Sequence, residues 1–432
     1  MTFTYLHQVL CADSIPLATL AEQYGTPLYV YSVSRIRENY SRFAAAFAPL
    51  DPGIKYTLKA NASLAILRLL KDAGAGFDVV SGGDIYRTLR AGADPAQLVF
   101  TGIGKTDAEL AYALNAGVAW FNVETVEELV ALDRRAAAGG ENAAVALRLN
   151  PGVRVDTHPH IRTGAPEDKF GFPAEEACAL LDRAVEFPHL NFRGLHLHIG
   201  SQIPHPDDTL RALEVALGLV ERFPGLELLD IGGGYPIPYS PEDNYPSIED
   251  FAAPIVERLR QPPASHLRIH LEPGRYVVAD AGALVLTVLA DKRAAGRRVV
   301  IVDGGMNVLI RPALYGAFHA VLPLQQTADG GRQTADGGWQ TIVPGAKRSG
   351  AADVAGPICE SADYLAHDVP LPRHLKRGDR LAVLNAGAYG MVMASNYNGH
   401  PLPAEVLVDG ETHRLIRRRQ TYEDLVAGEE ML

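Results

Sequence analysis

Cysteine is scarce in this chain of 432 residues: the three present, Cys11, Cys178 and Cys359, are too few and too scattered for a disulfide framework or a zinc cluster. Each is read as a free thiol, and no metal site is expected. Long apolar runs are missing as well. The longest, around Ala281 to Ala290, spans about ten residues against the roughly 18 that a membrane-spanning helix needs. Met1 to Asp13 lack the basic start and apolar run of a secretory signal, so a cytoplasmic location is expected. There is no basic excess either, since 40 Lys and Arg face 51 Asp and Glu for a formal net charge of −11. A nucleic-acid surface needs clustered cations, so neither nucleic acid nor membrane is expected as a partner.

What is present is an ordinary globular composition, 47% hydrophobic, in a chain long enough for a barrel of roughly 250 residues plus a second domain. Short apolar or β-branched runs lie near 54–58, 77–80, 97–100, 118–122, 144–149, 192–198, 227–231 and 267–271. Between them, segments such as 63–73, 83–91, 106–116 and 125–138 carry apolar residues at helical spacing and end near glycine. Eight strand–helix units in series predict an α/β fold, a (β/α)8 barrel, rather than an open sheet. Beyond Arg275 the runs 284–289, 298–302, 379–384 and 405–408 are separated by turns, with Asp409-Gly410 read as a tight hairpin turn. The barrel is assigned to 35–275. A second, mostly β carboxyl-terminal domain takes 276–432, completed by 1–34, where Thr26 to Val33 is β-rich. Residues 327–333 (TADGGRQ) are nearly repeated by 334–340 (TADGGWQ), read as an enlarged surface loop.

Polar signatures follow the barrel runs directly. Lys59 follows the first, Asp78 and Ser81 flank the second, and Arg148 and Asn150 close the fifth. His198 to Ser201 follow the sixth, Gly232-Gly233-Gly234 the seventh, and Glu272-Pro273-Gly274-Arg275 the eighth. Side chains at the carboxyl ends of barrel strands line the reaction mouth, which makes Lys59 a candidate for chemistry. A glycine turn before a helix start offers backbone N–H groups and dipole charge to an anion. Together with the lysine it suggests a phosphate-bearing cofactor held as a Schiff base, pyridoxal phosphate, with Glu272 keeping the ring nitrogen protonated. His196-Leu197-His198 leaves a metal hydrolase open, because residues two apart on a strand face the same way. If His198 stacks on a ring instead, His196 is read as a satisfied core residue.

The segments YTLKAN (56–61), HLHIGSQI (196–203), DIGGG (230–234), EPGRYV (272–277), VDGGMNVLIRPALY (302–315), GPICESAD (356–363) and AGAYGMVMASNYN (386–398) together resemble the diaminopimelate decarboxylases, within the alanine-racemase-like, fold type III class of pyridoxal phosphate-dependent decarboxylases. HPHIRTGAPEDKFGF (158–172) is also similar. The departures are the 327–340 duplication and Tyr235-Pro236-Ile237-Pro238 after the glycines. The resemblance implies decarboxylation of meso-2,6-diaminopimelate to L-lysine, the last step of lysine biosynthesis. It implies that Lys59 binds pyridoxal 5'-phosphate covalently, His198 stacks on the ring, and Ser201 with Gly232, Gly233 and Gly234 holds the phosphate. Glu272 pairs with the ring nitrogen, and Gly274, Arg275 and Tyr389 complete the cofactor site. Arg275, Arg311, Tyr315, Glu360 and Tyr389 would bind substrate, and Cys359 would return a proton. It further implies a homodimer with shared sites, Cys359 and Glu360 entering the partner's. A decarboxylase of another diamino acid or of carboxynorspermidine, or a non-catalytic pyridoxal phosphate-binding protein, stays open beside this reading.

Overall fold

A computed structural model describes residues 2–155, 163–326 and 351–431. They form two compact units, Asn39–Pro236 with Tyr245–Tyr276, and Met1–Glu38 with Ile237–Asn244 and Val277–Leu432. Ile237–Asn244 thus belongs to the second unit although it lies inside the 35–275 span. The 327–340 duplication and residues 158–162 of the 158–172 segment lie outside the described residues.

The first unit is built on eight strands: β1 (Gly53–Thr57), β2 (Gly76–Val79), β3 (Leu98–Phe100), β4 (Trp120–Val123), β5 (Ala143–Asn150), β6 (Leu190–Leu197), β7 (Leu228–Asp230) and β8 (Arg268–Leu271). They are the eight runs expected from the sequence. Neighbours pair in parallel all the way round, β8 with β1 through His270 and Gly53, and β4 with β5 through Phe121 and Val145. The sheet is therefore a closed barrel. Local sequence explains the alternation with helices. Thr106 and Glu109 form a capping box on Asp107–Ala116, which stops at the left-handed Gly117, and Ser81 and Thr125 cap Gly82–Arg90 and Val126–Gly139 through their hydroxyls. Each such cap stabilises its helix by about 1 kcal/mol. Gly194 shows why a side chain is missing from the middle of β6: a Cβ there would sit 2.9 Å from that of Leu228 on β7.

The second unit is mostly β. Its main sheet runs Tyr364–Pro370, Ala351–Ala355, Arg297–Val302, Gly282–Ala294, Leu28–Ser32, Ala404–Asp409, Thr412–Arg417, with Arg380–Val383 added to Gly282–Ala294. Leu28–Ser32 lies antiparallel to Gly282–Ala294 and parallel to Ala404–Asp409, so the amino-terminal strand completes this sheet at its middle. Leu10, Leu17, Leu28, Val30, Val285 and Val406 share one apolar cluster that holds the amino-terminal segment down. The hairpin differs by one residue from its expected position. Asp409 still pairs with Thr412, so the two-residue loop is Gly410-Glu411, and Gly410 supplies the positive φ of 61°.

Candidate active site

The carboxyl ends of the barrel strands bring together an unusual density of buried ionisable groups. Lys59 stands two residues past β1, on a segment tied back by Leu58 N–H donating to Asp78 O at 3.1 Å and Thr57 N–H to Pro273 O at 3.2 Å. Asp78, Asp230 and Glu272 are all buried. Burial pushes each carboxyl above its usual range; Glu272 adds to the push on Asp78 and Asp230, and the Lys59 amine pulls Asp78 and Glu272 back. Glu272 Oε1 accepts from Thr101 Oγ1 at 3.3 Å, and Thr101 Oγ1 accepts in turn from Asn122 Nδ2 at 3.0 Å. Arg148 donates from Nη1 to Glu124 Oε1 at 2.6 Å, a fully shielded pair, and from Nη2 to the carbonyl of His198 at 3.4 Å.

The two histidines of the 196–198 stretch do different things. His198 Nδ1 accepts from Gly233 N–H at 3.2 Å, which fixes the remaining ring proton on Nε2. Burial, then Lys59 and Arg148, drive its basicity well below the ordinary value, so the ring is neutral. His196 is buried as expected but is not satisfied. Neither ring nitrogen makes a hydrogen bond among the described residues, Nε2 lies 3.5 Å from Glu272 Oε2, and burial lowers its pKa to about 3. Ligand atoms of His196, Asp230 and Glu272 lie within 4.8 Å of one another, whereas His198 is no part of that group. The histidine pair therefore does not chelate as a unit.

The glycine turn is built for close approach. Gly232 and Gly234 have φ of 70° and 103°, and a Cβ on Gly232, Gly233 or Gly234 would fall 2.2 Å from Leu197 O, 2.5 Å from Glu272 O or 2.4 Å from Ile203 Cδ1. Two of its three N–H groups are already committed, Gly232 to Asp230 Oδ1 at 2.9 Å and Gly233 to His198. The dipole contribution expected from a following helix is not there: 231–246 is irregular and the next helix starts at Ile248. Positive charge comes instead from Arg275, which donates to Ser201 Oγ from Nη2 at 2.9 Å and from Nε at 3.3 Å. Gly274 lets this turn pack on β1, since its Cβ would meet Thr57 Cγ2 at 2.4 Å.

The other predicted residues belong to the β unit. Arg311 is buried at the start of the short Arg311–Tyr315 helix, and Tyr315 ends it half-buried. Cys359 and Glu360 are exposed on the loop before Tyr364–Pro370. Asp363 pins that loop, accepting from Met306 N–H at 2.6 Å and Ile358 N–H at 2.7 Å. Asn398 accepts from Cys359 N–H at 3.1 Å, and Tyr397 hydrogen-bonds Glu360. Tyr389 is held at φ 56°, a left-handed conformation that non-glycine residues adopt mainly where surrounding structure forces it.

Comparison with known proteins gives this assembly a context. The family model for the pyridoxal-dependent decarboxylase, pyridoxal binding domain, matches residues 33–279. Diaminopimelate decarboxylase of Pseudomonas aeruginosa is 44% identical, with 100% of this chain and 99% of the relative covered. The Neisseria meningitidis serogroup A enzyme is 40% identical over 97% of this chain and 98% of its own. The chain belongs to the diaminopimelate decarboxylase family. Among solved structures, diaminopimelate decarboxylase from M. jannaschii in complex with L-lysine superposes with a TM-score of 0.89 at 34% identity, covering 100% of this chain and 98% of that one.

The family's cofactor is pyridoxal phosphate, and the barrel residues fit it. One lysine stands at a strand end, glycines too crowded for a Cβ line a turn beside Arg275 and Ser201, and a neutral histidine is fixed in one tautomer. Asp78, Asp230 and Glu272 form a buried carboxyl cluster held above the usual range, the environment a protonated ring nitrogen would relieve. Sequence reasoning missed Asp230, Glu124 and Thr101 as members of this assembly. All three end or directly follow a barrel strand, so the strand-end rule that found Lys59 applies to them equally.

Proposed function

We propose that this chain decarboxylates meso-2,6-diaminopimelate to L-lysine as a cytoplasmic homodimer whose sites draw on both subunits. The observation that carries the reading is the strand-end lysine set against a buried carboxyl cluster and a glycine turn, in a chain alike from end to end to diaminopimelate decarboxylases. When bound, pyridoxal phosphate draws off the electron pair left as carbon dioxide departs. Lys59 Nζ holds the cofactor, and His198, neutral and anchored by Gly233, offers its ring face for stacking. Arg275, Ser201 and the turn Gly232 to Gly234 take the phosphate, with Tyr389 assisting. Glu272 pairs with the ring nitrogen, braced by Thr101.

At the substrate, Glu360 suits the distal ammonium, and Arg311 with Tyr315 suits the distal carboxylate, since a guanidinium takes a carboxylate through two parallel hydrogen bonds. Arg275 serves the reacting end, and Cys359 Sγ returns a proton to the carbon. Exposure of Cys359 and Glu360 supports their service to a partner subunit. The test is carbon dioxide release from a panel of diamino acids. meso-Diaminopimelate should lead, and Arg311→Leu should lower its kcat/KM at least about a hundredfold while changing the small activity on lysine much less, because sites built around a polar partner discriminate by ~10⁴ or more. Preference for ornithine or carboxynorspermidine, or no release at all, would overturn the reading.

A further inference from the structure

Arg311 is 6% exposed, and two of its contacts are with rings, those of His319 and Tyr239. Its Nη1 lies 2.7 Å from His319 Nε2, and His319 Nδ1 lies 2.8 Å from the carbonyl oxygen of Leu384. A guanidinium N–H only donates and a carbonyl oxygen only accepts. His319 must therefore accept at Nε2 and donate at Nδ1, as a neutral ring in a single tautomer. The acceptor is itself anchored, because Leu384 N–H donates to Ala320 O at 2.9 Å beside the Arg380–Val383 strand. On the second side the guanidinium lies 4.5 Å from the centroid of the Tyr239 ring, which meets His319 edge-on at 5.3 Å and 80°. One partner sets the plane of the fork and the other covers its face. Neither contact is an ion pair, so both are compatible with a carboxylate as a further partner of the guanidinium.

We infer that His319 is a positioning residue for recognition of the distal carboxylate, presenting the Arg311 fork so that ligands with and without that carboxylate are told apart. The inference rests on the reading of Arg311 given above. It concerns a histidine eight residues downstream that is buried and does not itself meet the ligand.

The chemistry supplies a clean pair of probes. Loss of carbon dioxide from one end of meso-diaminopimelate leaves L-lysine with the carboxylate of the end that did not react, whereas 1,5-diaminopentane has none. Dissociation constants for both are measured on the holoenzyme and on His319→Leu, His319→Gln and Arg311→Leu. His319→Leu should weaken lysine about tenfold, the scale of one hydrogen bond to a charged group, and leave 1,5-diaminopentane within about twofold. His319→Gln, whose amide oxygen reaches the Nε2 position and accepts from Arg311, should recover most of the loss. If Arg311→Leu weakens lysine selectively but His319→Leu moves both ligands equally or neither, the inference is overturned while the reading of Arg311 stands. If Arg311→Leu leaves the ratio of the two constants unchanged, that reading falls and the inference with it. Should His319→Leu not fold, His319→Gln against His319→Asn decides. Asn reaches only the Nδ1 position, so it should bind lysine more weakly than Gln, and equal affinities refute the positioning role.

Discussion

Replacing Gly232 by alanine is the sharpest single test of the glycine turn. Two costs are legible at this residue. Its φ of 70° is left-handed, which burdens an L side chain by roughly 1–2 kcal/mol. Its Cβ would also fall 2.2 Å from the Leu197 carbonyl oxygen, a backbone atom that cannot swing aside. Overpacking of that kind adds ~1–3 kcal/mol. The sum, about 2–5 kcal/mol, falls on the segment that joins the end of β7 to His198 and Glu272, because Gly232 O accepts from Glu272 N–H at 2.8 Å and the next N–H holds His198. At about 1.4 kcal/mol per tenfold, pyridoxal phosphate should bind Gly232→Ala at least about thirtyfold more weakly. The assay is a cofactor titration followed by absorbance, with denaturant unfolding of the cofactor-free protein to catch strain that appears there instead. Gly218→Ala is the control: Gly218 lies within the Pro206–Arg222 helix and none of the described residues would approach its Cβ within 4 Å. It should stabilise by about 0.5–1 kcal/mol and leave cofactor affinity alone. A Gly232→Ala protein with cofactor affinity within about threefold of wild type and unchanged unfolding would refute the reasoning.

Lys59→Ala should abolish carbon dioxide release and leave no cofactor fixed to the chain by borohydride, as peptide mapping would show; a label on Lys55 instead would move the assignment. Mixing inactive Lys59→Ala with inactive Cys359→Ala chains should restore up to about a quarter of wild-type activity, because random pairing makes half the dimers mixed with one intact site each. Proven subunit exchange without recovery would mean that each chain builds its own site.

Much of the fold is legible because it rests on local pattern. Eight apolar runs alternate with capped amphipathic helices, and each run became a strand of one closed barrel. The strand-end rule found Lys59, His198 and Glu272 for the same reason, since it needs only order along the chain. What escaped it depends on neighbours distant in sequence. Nothing local to His196 says that neither ring nitrogen finds a hydrogen-bond partner among the described residues, and nothing in Gly232-Gly233 says that both N–H groups are spoken for, by Asp230 and His198. The same applies to His319, whose acceptor Leu384 lies 65 residues away. The helix imagined after the glycines failed for a different reason. Pro236 and Pro238 keep that stretch from turning into helix at once, and it resumes only when Ser247 caps Ile248–Leu259.

Asp230 shows how the cofactor site is kept at the expense of the cofactor-free fold. Its carboxyl is buried and faces Glu272, so its pKa is raised well above the ordinary value, by burial first and by the neighbouring carboxylate second. A folded-state pKa raised above the unfolded one means that the proton is held more tightly in the fold. The stability it contributes is complete at pH below the unfolded carboxylate pKa and is lost as pH climbs through the folded value. At pH 8 the cofactor-free protein must either ionise this carboxyl in an apolar place or hold a proton against the solution. Asp230→Asn removes that burden while its amide oxygen still accepts from Gly232 N–H, the bond now made at 2.9 Å. An ionised carboxyl buried without full compensation costs several kcal/mol, and an amide of the same shape avoids that cost. Urea unfolding of cofactor-free Asp230→Asn should therefore show a gain of about 1–2 kcal/mol over wild type at pH 8 that shrinks toward zero near pH 4. Cofactor affinity should move the opposite way, because a carboxyl cluster with one charge fewer is a poorer setting for a protonated ring nitrogen. A variant less stable than wild type at pH 8, or a gain that does not shrink as the pH falls, would mean that Asp230 is ionised and compensated in the cofactor-free fold, and that the carboxyl cluster is a structural network rather than a site waiting for a cation.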